Sequence, residues 1–83
     1  MTKYAFNINA AERVQYVGRI VEETAETITL NAFRALSLIL IGHPEETDEL
    51  ITVPRNECRI FASEVAMLDA CRVAFRRHRY GAA

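Results

Sequence analysis

Val14-Gln15-Tyr16-Val17-Gly18-Arg19-Ile20-Val21, then Glu22-Glu23-Thr24-Ala25-Glu26, then Thr27-Ile28-Thr29-Leu30 is the stretch on which the fold turns. β-Branched and aromatic residues dominate both arms, a composition that suits a pleated, half-buried surface. At a period of two, Val14, Tyr16, Gly18 and Ile20 share one face, and Ile28 and Leu30 share a face on the return. The spacing predicts a hairpin with Glu22–Glu26 as its acidic connection. No Asn-Gly or Asp-Gly stands there, so the turn type stays open. A helix is the rival, because Ala10-Ala11-Glu12-Arg13 begins well and Val14, Val17 and Val21 fall at i, i+3 and i+7. The Thr27-Ile28-Thr29-Leu30 segment decides for strand.

Working outward, the run Ala32 to Ile41 is apolar on both alternations, which fits a strand covered on both sides or lying at a subunit contact, or else a short buried helix. Gly42-His43-Pro44 stops it, and Glu45-Glu46-Thr47-Asp48-Glu49 is expected to be a solvated loop. Leu50-Ile51-Thr52-Val53 and Arg59-Ile60-Phe61 read as two short strands around a turn at Pro54-Arg55-Asn56-Glu57. Ser63 stands where an N-cap belongs, and Val65, Leu68, Cys71 and Phe75 then recur at helical spacing. Arg76-Arg77-His78-Arg79-Tyr80 closes that helix with cations at the negative end of its dipole, and Gly81 lies just beyond. Thr2 to Asn9 alternates weakly and is expected as an edge strand. The pattern is mainly β with one helix: a single domain over 1–83, with strands over about 4–62 and a C-terminal helix over about 63–79.

At 83 residues the chain can hold one modest core, yet 51% of it is hydrophobic. Surplus apolar surface on so small a body is more comfortably covered by other subunits than by water. The net charge of -1 is unevenly placed: residues 1–54 carry four Lys/Arg against eight Asp/Glu, and residues 55–83 carry six against three. Cys58 and Cys71 make no disulfide framework, and free buried thiols are expected. With no basic n-region or apolar h-region at the start, a reducing cytoplasmic setting is expected. The longest apolar stretch, Ala35 to Ile41, is too short to span a bilayer, so no membrane association is expected.

Catalysis has little to work with. His43 sits between glycine and proline in a turn, His78 lies inside an arginine run, and no nucleophile–base–orienter set surrounds either. The chain therefore does not read as an enzyme. The clusters Glu22, Glu23, Glu26 and Glu45, Glu46, Asp48, Glu49 match no calcium loop and no Cys/His pattern matches zinc, so no metal or other cofactor is expected. Two polar groups remain as candidate sites. Arg72, Arg76, Arg77 and Arg79 with Tyr80 can meet phosphates and stack a base, although arginines in a last helical turn also serve the helix itself. Arg55 and Asn56 occupy the turn between the two late strands, where polar residues are also ordinary turn chemistry.

The segment Tyr16-Val17-Gly18-Arg19-Ile20-Val21 through Thr29-Leu30-Asn31 resembles the first motif of the Sm-like family. Ile51-Thr52-Val53-Pro54-Arg55-Asn56-Glu57-Cys58-Arg59-Ile60 resembles the second, nearest to its Hfq-like form. The likeness rests on strand order more than on motif and covers about two-thirds of the chain. The family's first-hairpin aspartate has no counterpart near Thr24 and Ala25, Asn31 falls late for the family's asparagine, and the second motif lacks Arg-Gly. The family's helix is usually N-terminal, whereas here it follows the strands, as fits a divergent member such as the small Sm-like proteins encoded by phages. The resemblance implies a strongly bent five-stranded, SH3-like barrel whose edges pair between copies into a homo-oligomeric ring of five to seven subunits. It also implies that Arg55 and Asn56 face the ring's pore, where relatives bind single-stranded RNA. Two functions stand side by side: an RNA-binding ring using Arg55, Asn56 and the terminal arginines, or a structural or adaptor homo-oligomer that binds protein.

Overall fold

The computed structural model describes residues 2–34 and 45–80, the last four by backbone alone. Strands β1 (Tyr4–Ile8), β2 (Val14–Glu23), β3 (Thr27–Phe33), β4 (Glu46–Pro54) and β5 (Cys58–Phe61) form one antiparallel sheet in the order β4-β3-β2-β1-β5. A single 3-10 turn, η1 (Arg55–Glu57), joins β4 to β5, and helix α1 (Glu64–Tyr80) follows. The hairpin read from the sequence is β2–β3, and the helical rival for Val14–Val21 falls away.

Four expectations change. Glu22 and Glu23 belong to β2, pairing with Thr29 and Ile28, so the connection shrinks to Thr24–Glu26. There the Thr24 hydroxyl accepts from the backbone N–H groups of Glu26 (3.2 Å) and Thr27 (2.9 Å). Glu46 to Glu49 is not loop but the first half of β4, where the Thr47 hydroxyl donates to the Ala32 carbonyl (2.8 Å) and Glu46 pairs with Arg19. Tyr4–Ile8 is not an edge strand, because β2 flanks it on one side and β5 on the other. Val14 also leaves the face of Tyr16 and Ile20. The β1–β2 register shifts between Phe6 and Ile8, and the Tyr16 N–H donates to the Asn7 side chain (2.8 Å) instead of the ladder.

Successive residues of a strand point to opposite sides, and this sheet carries a core on each. On one side Ala5, Ile28, Leu30 and Val53 are buried, with Tyr16, Ile20, Ile51 and Cys58 packed partly against them. On the other, Phe6, Val14, Val17 and Phe33 meet Met67, Leu68 and Cys71 of α1. Fully burying side chains such as Met67 and Leu68 contributes about 1.5–3 kcal/mol each. The expected helix face holds at Leu68 and Cys71, but Val65 is 68% exposed because the buried stripe runs through Met67 instead. Ser63 caps α1 as expected, its hydroxyl accepting from the Ala66 N–H at 3.1 Å.

Ala5, Gly18 and Ala32 stand in register across β1, β2 and β3. This row of minimal side chains leaves room for a close approach of β2 and β3. A β-carbon on Gly18 would collide with the backbone carbonyl of Asn31 and lie 3.1 Å from the Ala32 Cα. Glycine is therefore required here by close backbone approach. Of the apolar run predicted as strand or buried helix, Ala32 and Phe33 finish β3. Residues 35–41 and the stop at Gly42-His43-Pro44 lie outside the described residues.

Candidate functional site

The η1 turn is built by proline and by a hydrogen bond. Pro54 (φ -60, ψ 135) sets the chain at the end of β4, and the Arg55 N–H donates to the Glu26 carbonyl (2.8 Å). The turn is thereby held against the β2–β3 connection. Arg55 is half-buried and occupied: Nη1 donates to the Thr24 carbonyl (3.1 Å) and Nη2 lies 3.2 Å from Glu23 Oε1. Glu23 also meets Lys3 Nζ at 2.7 Å. That hydrogen bond from Lys3, with its positive charge and that of Arg55, holds the Glu23 carboxyl below its ordinary value. Asn56 is the other half of the predicted pair. It is exposed, its amide has no partner among the described residues, and it lines a shallow groove with Ala25, Glu26, Pro54 and Arg55.

Glu57 ends the turn facing the other way, its Oε1 accepting from Asn7 Nδ2 at 3.2 Å. Asn7 is fully buried and satisfied on every side: Nδ2 also donates to Gln15 Oε1 (3.2 Å), and Oδ1 takes the Tyr16 N–H. It ties β1, the bulge of β2 and η1 together, so it is a positioning residue for the turn. Sequence reading missed it because an asparagine in a weakly alternating stretch gives no local sign of burial.

The helical arginines lie elsewhere. Arg72 is half-buried, with Nη1 2.9 Å from Asp69 Oδ1, and Arg76 is exposed. Arg77, Arg79 and Tyr80 belong to the last turn of α1, and their side chains lie outside the described residues, as does that of His78. Arg72 and Arg76 belong to α1, whereas Arg55 and Asn56 belong to η1. A cation not singled out from the sequence, Arg59 on β5, is exposed and has no ion-pair partner among the described residues.

Neither cysteine is poised as a nucleophile. Burial, with the neighbouring Glu57 charge, raises the Cys58 thiol, and burial pushes Cys71 up to about 11. Among the described residues no group of three or more His, Cys, Asp or Glu could hold a metal ion, and no helix is long and apolar enough to cross a membrane. No protein-family model, curated protein or solved structure matches the chain.

Proposed function

We propose that the chain is a divergent Sm-like module, a strongly bent five-stranded barrel that joins copies of itself into a ring of five to seven subunits and binds single-stranded RNA at the η1 turns. One observation carries the reading: the order β4-β3-β2-β1-β5 leaves β4 and β5 as the two sheet edges, consecutive in sequence and joined by η1. A sheet edge is a row of unpaired N–H and C=O groups. Pairing β4 of one copy with β5 of the next satisfies both rows, and the contact repeats head to tail until it closes. The short Arg55–Glu57 turn between the two edges would then recur once per copy, giving a circle of exposed Asn56 amides backed by Arg55. Arg72, Arg76, Arg77, Arg79 and Tyr80 of the helix are further candidates for contact with phosphates and bases.

The second reading, a scaffold that binds protein rather than RNA, is favoured by the engagement of Arg55. A guanidinium already bonded to Glu23 and the Thr24 carbonyl has less to offer a phosphate. Salt dependence separates the two. Retention of U-rich or A-rich RNA should fall as salt rises, with a log–log slope of about -0.7 per phosphate neutralised. Asn56→Ala should weaken that retention about 2- to 13-fold, the value of one hydrogen bond of about 0.5–1.5 kcal/mol. Absence of retention at about 50 mM salt, where phosphate contacts are strong, overturns RNA binding and leaves the scaffold.

A further inference from the structure

An apolar groove lies between β1, β5 and α1, lined by Phe6, Ile8 and Phe61 of the strands, by Ala70, Val73 and Ala74 of α1, and by Arg59. Within one copy it is left open: Val73 is 62% exposed, and Arg59 has no ion-pair partner among the described residues. The opposite edge of the sheet carries the complementary features. On β4, Leu50 is 61% exposed, and the adjacent Asp48 and Glu49 are exposed acids with no ion-pair partner among the described residues.

The faces also agree. Leu50 stands opposite Asn31, and Asn31 opposite Arg19 and then Tyr4, which stands opposite Phe61. Directly opposed residues share a face, so Leu50 lies on the side of the sheet that α1 covers. Any β4–β5 join that continues this face from copy to copy brings Leu50 to the side on which the groove opens.

From this we infer that the groove between β5 and α1 is the seat for Leu50 of a second copy, with Asp48 and Glu49 of that copy answering Arg59. The inference rests on the edge-to-edge assembly proposed above and assigns its anchor. An aliphatic side chain in an apolar pocket, ringed by opposite charges, has the make-up of an interface hot spot, with the charges fixing orientation. The C-terminal helix thus acquires a role that the strands alone would not supply: it builds one wall of the socket.

Light scattering on the full chain and its variants tests this. Wild-type protein should be a multiple of 9.4 kDa at micromolar concentration. Leu50→Asp and Val73→Asp should each weaken self-association at least about tenfold, as loss of a hot spot does. Arg59→Glu should weaken it too, and Asp48→Arg added to Arg59→Glu should restore it. Because substitutions can disturb folding, a second readout uses Val73→Cys, which keeps an apolar side chain: alkylation should be slow in concentrated protein and fast on dilution. An assembled wild type whose mass survives Leu50→Asp and Val73→Asp, or a Val73→Cys thiol alkylated equally fast at both concentrations, overturns the socket and leaves the ring. A monomeric wild type overturns both.

Discussion

Gly18 shows how one residue can constrain a sheet. Its value lies in the absent side chain, since the Asn31 carbonyl occupies the place a β-carbon would take. Gly18→Ala should therefore force β2 and β3 apart and cost about 1–3 kcal/mol, the usual penalty for overpacking a site with no room. Urea unfolding checks it, and a loss under about 0.5 kcal/mol, the level of an ordinary surface change, would mean that the two strands can part to make room. The sequence marks this glycine as the centre of a strand but gives no sign of the close approach, which depends on Asn31 of the neighbouring strand. Asn7 is comparable. Its three hydrogen bonds reach Gln15, Tyr16 and Glu57, and only the folded chain brings those partners within reach.

At the scale of elements, the β2–β3 hairpin, the strand–turn–strand around Arg55-Asn56 and the Ser63-capped helix are legible because each announces itself locally, by alternation, by turn residues or by a cap. The β4 strand hides its first half for a physical reason. Glu46, Asp48 and Glu49 are exposed along this edge strand, and a run of charged residues such as Glu45-Glu46-Thr47-Asp48-Glu49 looks like loop when read alone. The occupation of Arg55 was equally unreadable, since Glu23 and Thr24 are far from it in sequence and meet it only when the β2–β3 connection folds onto η1. That contact carries a pH signature. The Glu23 carboxyl is depressed below 4.5, so its ion pairs stabilise the fold fully above that value and lose their effect as pH falls through the lower folded-state value. Glu23→Gln should melt below wild type near neutral pH, with the two melting curves converging in acid. A gap that persists undiminished in acid would show that the carboxylate is not what matters.

For the whole molecule, a chain of 83 residues that leaves Leu50, Val65 and Val73 more than half exposed is short of cover on its own. If copies supply that cover, folding and assembly are linked by mass action. The melting temperature should then rise with protein concentration over a tenfold series, whereas a lone folded monomer would melt at one temperature throughout. The row Ala5, Gly18 and Ala32 bears on this as well. In the proposed ring the two edges of one sheet would meet their counterparts at an angle that the bend of the sheet determines, and a head-to-tail contact closes only when that angle divides the full circle, about 51–72° for seven to five copies. In the proposed ring, three of the smallest side chains in the protein would act as its protractor: the close approach they permit would set the wedge each copy occupies, and so how many copies complete the circle.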